Sequence, residues 1–142
     1  PFYLATREFY QLVRSRLRPG GIVALNVASL PRDHTLVEQT AGTLATVFPH
    51  VYRWQALRFN ALVIGSREPL TAAVLARARV LAPARLRPLL RLLARQAEPV
   101  APAGDPWTDD RAPVEWVVDR MIVNAAREGV SLNEERTLPT AP

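Results

Sequence analysis

Apolar positions set the rhythm of the chain from its first residues. Phe9, Leu12, Val13 and Leu17 fall on one side of a helix, the i, i+3, i+4 spacing of an amphipathic segment. Thr6 stands where an N-cap is needed, and Glu8 lies in the first turn, where the helix dipole favours an acid. Pro19-Gly20-Gly21 stops this helix. Ile22 to Ala28 then breaks the pattern with an almost wholly apolar run, which predicts a strand buried on both faces of a parallel sheet. Leu30-Pro31-Arg32-Asp33 reads as a loop. A second helix carries Leu36, Val37, Leu44, Val47 and Phe48 on one side and halts at Pro49. Two β-rich runs follow, His50 to Leu57 and Asn60 to Ser66. Arg58-Phe59 between them is short enough for a tight antiparallel connection.

This order of elements predicts an α/β sheet with an antiparallel edge. After Pro69 the composition turns to Ala, Leu and Arg. Leu70 to Leu81 and Leu86 to Ala97 read as amphipathic helices separated by Pro83, with Pro88 in a first turn, where its missing N–H costs least. A last helix carries Val114, Val117, Val118, Met121, Ile122 and Ala125 and ends at Gly129. The chain thus divides into an α/β part (1–68), an Arg/Leu-rich helical segment (69–97), a Pro-rich linker (98–106), a block with the terminal helix (107–129) and a polar tail (130–142) expected to be disordered.

A length of 142 residues suits one domain. The chain starts at Pro1 rather than Met and is read as a piece of a longer one. It shows neither a leader pattern nor an apolar run near the roughly 18 residues that span a bilayer. A cytoplasmic protein is expected, or a cytoplasmic domain of a longer membrane-attached chain. With no cysteine, disulfides and thiolate sites are excluded. All 18 basic residues are Arg. Residues 1–97 hold 14 Arg against 4 acids, whereas residues 98–142 hold 4 Arg against 9 acids. Either a basic surface awaits nucleic acid or anionic lipid, or an acidic tail folds back on a basic body. The second is favoured, since no aromatic residue lies among Arg77 to Arg95 to stack on a base.

Ligands of open α/β sheets bind beyond the carboxyl ends of the strands, which makes Asn26 and Ser29 the first candidates. Phosphate-binding loops, nucleophile elbows and paired His at metal-ligand spacing are absent. His34 and His50 stand apart and read as structural. Trp107-Thr108-Asp109-Asp110-Arg111-Ala112-Pro113-Val114-Glu115 carries adjacent carboxylates, which repel unless bonded, paired or solvated. Read plainly, it starts a helix, with Thr108, Asp109 and Asp110 offering caps. The sharper alternative is an acidic pair that attracts an amine.

Four blocks in this sequence resemble the C-terminal half of the spermidine synthase family, nearest to its bacterial spermidine synthase-like branch. They are Tyr3-Leu4-Ala5-Thr6-Arg7-Glu8-Phe9-Tyr10, the run Leu17-Arg18-Pro19-Gly20-Gly21-Ile22-Val23-Ala24-Leu25-Asn26-Val27, then Val47-Phe48-Pro49-His50-Val51-Tyr52, and Thr108 to Glu115. The resemblance extends from Pro1 to about Val123. It implies the C-terminal half of a Rossmann-like class I methyltransferase sheet, with Ile22 to Ala28 as its fifth, parallel strand beside an antiparallel edge hairpin. It further implies aminopropyl transfer from decarboxylated S-adenosylmethionine to putrescine, with no metal. The family's catalytic aspartate and most of its nucleotide pocket precede Pro1, so no catalytic residue is expected in this chain.

Carried over residue by residue, Leu4 takes the place beside the adenine, and Asn26 that of a polar residue facing the polyamine. With Asn26, Ser29, Asp109 and Asp110 are the candidate substrate-binding residues. The family's Tyr-Pro-x-Gly-x-Trp segment is replaced by Trp54-Gln55-Ala56-Leu57-Arg58-Phe59-Asn60, which leaves the acceptor amine open. Partners implied are a polyamine or other small amine and, in the full-length protein, further copies of itself. Nucleic acid is not expected, and a membrane only through upstream helices. The alternatives are a methyltransferase using S-adenosylmethionine on the same fold, and a non-catalytic Arg-rich interaction module.

Overall fold

A computed structural model describes residues 2–130. Its elements follow the apolar pattern closely. A 3-10 turn, Phe2–Ala5, leads into helix α1 (Arg7–Arg16), whose N-cap Thr6 accepts a hydrogen bond from the Phe9 N–H. Strand β1 (Ile22–Ala28) is followed by helix α2 (Thr35–Ala45) and the hairpin of β2 (His50–Leu57) and β3 (Asn60–Ser66). Helices α3 (Ala72–Leu81) and α4 (Arg87–Gln96) come next, then a three-residue strand β4 (Glu98–Val100) and helix α5 (Val114–Arg127).

The sheet order is β1-β3-β2-β4, and every pairing among the described residues is antiparallel. This is an α/β architecture, but the parallel pairing expected for β1 does not occur among these residues. Nor is β1 covered on both faces. Val23, Leu25 and Val27 turn inward, whereas Ile22, Ala24, Asn26 and Ala28 are exposed. The physical reason is position: among the described residues β1 is an outer strand, paired with β3 alone, and helices cover just one of its faces. A second departure lies in the expected linker. Glu98, Pro99 and Val100 pair with Arg53, Tyr52 and Val51 of β2, and Pro99 is tolerated because an edge strand has one row of unpaired backbone groups. The tail expected to be disordered lies, from residue 131 onward, outside the described residues.

Antiparallel partners share a face, so Val23, Leu25 and Val27 line up with Gly65, Val63 and Ala61 of β3 and with Val51 of β2. Helix α2 covers this face. Its Ala41 and Leu44 are fully buried, and Phe48 just beyond it is nearly so. Gly65 permits the approach: a Cβ there would meet Leu44 Cδ2 at 3.0 Å and Phe48 Cγ at 3.1 Å. Trp107 and the inward residues Val117 and Met121 of α5 complete the same core. Against the opposite face lies the α3–α4 hairpin. Tyr52 Oη accepts from the Leu70 N–H at 3.1 Å, and Trp54 Nε1 donates to Gln96 Oε1 at 2.9 Å.

None of the three residues expected to cap α5 does so. Its N-cap is Pro113, with no side-chain bond, while Thr108 and Arg111 exchange backbone hydrogen bonds in a tight turn. The far end is orthodox: Gly129 has φ +67°, and the Val130 and Gly129 N–H groups reach back to Ala125 and Ala126, as a Schellman turn requires.

Candidate functional site

The carboxyl end of β1 carries a compact polar cluster. Ser29, one step past the strand, is fully buried. Its Oγ lies 2.9 Å from His34 Nδ1 and 2.9 Å from Gln55 Oε1. Counting donors fixes the proton positions. The Gln55 amide nitrogen donates to the Leu57 carbonyl at 2.7 Å, so its oxygen faces Ser29 and must receive the hydroxyl proton. Ser29 has one proton to give, hence His34 Nδ1 must carry its own. A neutral His34 therefore keeps its lone pair on Nε2.

His34 stands immediately before α2, and the Asp33 carboxylate accepts from the Thr35 N–H at 3.0 Å. Burial pushes the Asp33 pKa up, but the Thr35 side chain and backbone, with Arg120 and His34 nearby, outweigh it and hold the carboxyl below its usual range. A cavity of about 400 Å³ opens beside this helix start, lined by His34, Val37, Arg53, Trp54, Gln55 and Glu98 among others. Arg53 lies 2.9 Å from Glu98 and 3.8 Å from Glu38. On the cavity wall itself the Arg53 and Glu98 charges offset each other. With Val37, Trp54 and Ala61 on the same wall as Gln55 and Gln96, the cavity suits a largely apolar molecule with a hydrogen-bonding group.

The acidic pair lies elsewhere. Asp109 Oδ1 accepts from the Thr6 hydroxyl at 2.6 Å, and the Asp109 N–H donates to Glu8 Oε2 at 3.1 Å. Its carboxylate thus braces the start of α1. The Glu8 carboxyl is held below its usual range, foremost by its own backbone N–H, with Arg7 and the Asp109 N–H adding to it. The Arg7 N–H donates to the Trp107 carbonyl at 2.8 Å, and the Trp107 N–H to Thr43 Oγ1 at 3.0 Å. This segment is therefore tied to the last turn of α2. Thr43 lies nine positions beyond His34, about 13 Å along a helix. Asp110 is exposed.

Asn26 is exposed and pairs with Leu62 across the sheet. Being three positions from Ser29, it points to the opposite face. Leu4 lies in the exposed apolar turn with Phe2 and Tyr3. Of the five candidates, then, the structure joins Ser29 to His34 and Gln55, joins Asp109 to Thr6 and Glu8, and joins none of the five to another by a hydrogen bond. His34 and Gln55 escape a reading of the sequence as site residues. Their available signal is a His five positions after a strand-end Ser, and a lone amide within a β-rich run. Among the described residues no group of His, Cys, Asp or Glu could hold a metal ion.

Comparison with known proteins gives a partial likeness. No family model and no solved structure matches the chain. A stretch of 54 residues is 43% identical to polyamine aminopropyltransferase 2 of Pseudomonas aeruginosa; it covers 37% of this chain and 16% of that protein.

Proposed function

We propose that this chain is the acceptor-side, C-terminal part of a spermidine synthase-like transferase, moving an aminopropyl group from decarboxylated S-adenosylmethionine to putrescine or another amine. The observation that carries this reading is the 54-residue stretch shared with a polyamine aminopropyltransferase. The antiparallel order β1-β3-β2 agrees with it. So does the outer edge of β1, which has no partner among the described residues and leaves room for a parallel strand of a larger Rossmann-like sheet.

In such a transfer the amine nitrogen attacks the methylene carbon beside the sulfonium. A C–N bond forms, the C–S bond breaks, methylthioadenosine leaves and the amine gives up a proton. The rate rests on in-line placement and on a base, which this reading assigns to an aspartate outside the chain. Asn26 would hydrogen-bond the acceptor at the sheet's carboxyl edge. Ser29, whose proton and lone pair are already engaged by Gln55 and His34, would act as a positioning residue for His34. Asp110 would add negative charge, while Asp109 braces α1. Leu4 would meet the adenine: its turn is 41% exposed at Leu4 and apolar on either side, which fits a flat ring.

The test is the by-product. The intact protein given decarboxylated S-adenosylmethionine and a diamine should release methylthioadenosine, and Asn26→Ala should lower kcat/KM roughly tenfold or more. Formation of S-adenosylhomocysteine from S-adenosylmethionine, without methylthioadenosine, would assign methyl transfer instead, since fold alone does not fix the reaction.

A further inference from the structure

We propose that the α3–α4 hairpin is a peripheral docking surface for an anionic lipid bilayer. Three observations converge on it. First, six Arg and no acid lie between residues 69 and 97. Second, neither helix has a buried residue, and the apolar side chains at the bend are among the most exposed of the described residues, with Val80 at 73% and Leu81 at 83%. Third, no acid among the described residues of the acidic half is paired with an arginine of the hairpin. Among the described residues, the ion pairs that join the two halves are Glu98 with Arg53 and Glu128 with Arg32, and no Arg from 77 to 95 is paired with an acid.

A basic helical surface with an apolar tip is the pattern of an element that lies in the headgroup region, its arginines on lipid phosphates and its apolar tip at the acyl boundary. Helices of ten residues lie on a bilayer rather than across it. Nucleic acid would use the arginines but leave the tip without a role, and the hairpin has no aromatic platform for bases. The bend itself is held by Arg87, whose Nε donates to the Ala82 carbonyl at 3.2 Å.

The probe is sedimentation of the full chain with vesicles of phosphatidylcholine alone, or of equal parts phosphatidylcholine and phosphatidylserine. Binding is expected to the mixed vesicles and to weaken with salt. Each arginine near an anionic surface is worth about fivefold, so Arg77→Gln/Arg79→Gln/Arg85→Gln should weaken it roughly a hundredfold. Val80→Ser/Leu81→Ser should weaken it roughly tenfold or more, with an unchanged circular dichroism spectrum because both residues are exposed. A Leu81→Trp variant should show emission shifted to the blue on the mixed vesicles. Equal binding to both vesicles, no binding to either, or an unshifted Trp emission overturns the proposal. So does tighter capture by DNA that Val80→Ser/Leu81→Ser leaves intact.

Discussion

Helix α2 and the α3–α4 hairpin lie against opposite faces of the same sheet, and both are rich in Ala, Leu and Val. Yet α2 buries eight of its eleven residues, whereas α3 and α4 bury none. Apolar content does not separate them. Charge placement does: α2 carries a single charged residue, Glu38, while Arg87, Arg91 and Arg95 recur every fourth position along α4. A guanidinium keeps its head in water even when its stem lies on apolar surface, so a helix with one per turn stays at the periphery. The first helix stabilises the fold, and the second pair decorates it.

That contrast is most open to attack at two leucines. Leu44→Ala removes a fully buried side chain and should cost about 3 kcal/mol in urea denaturation, whereas Leu81→Ala should change stability by less than about 0.5 kcal/mol. Equal costs would break the comparison. The two threonine N-caps sharpen it. Thr6 accepts from the Phe9 N–H and also donates to Asp109, while Thr71 accepts from the Val74 N–H at 3.2 Å. Thr6→Ala should cost about 2 kcal/mol and Thr71→Ala about 1 kcal/mol or less, read from the same denaturation curves.

Acid should loosen the body and leave the hairpin's own charge untouched, for the hairpin holds no carboxylate. Glu8 and Asp33 are both depressed from ordinary values of 4.5 and 3.8. Their contribution is therefore full above those values and is lost as pH falls through them towards the lower folded-state pKa. Melting temperature measured against pH should drop there, and Glu8→Gln should flatten part of the drop. The smallest effect belongs to Tyr10, fully buried with no partner for its hydroxyl among the described residues; burial pushes its ionisation upward. Tyr10→Phe should be neutral or stabilise by up to about 1 kcal/mol, and a clear loss in a thermal melt would reveal a partner for that oxygen.

The strands β1, β2 and β3 were legible to the residue, because apolar runs bounded by Gly20-Gly21, Pro49 and Arg58-Phe59 leave little freedom in where a strand starts or turns. The faces of β1 were not. A run without alternation promises two covered faces, and which faces are covered depends on neighbours rather than on the run. Strand β4 was hidden for a similar reason: three residues containing Pro99 form a strand because Arg53 and its neighbours in β2 pair with them. Asn26 and Ser29 could be placed at the strand end, but that they point to opposite faces becomes plain once Val27 is seen to turn inward. Gln55 joins Ser29 across 26 positions, beyond the reach of any local pattern.

The same long reach governs Thr6, whose partner Asp109 lies 103 positions away. In a folding chain the cost of closing a loop rises with the logarithm of its length, and contacts between distant residues slow the search for the native state. Helix α1 can thus take its final form no earlier than Asp109 is made. A nascent or shortened chain that stops before Trp107 would hold Thr6 and Thr43 without these partners, and helix α1 would wait, unlatched, for residues a hundred positions downstream.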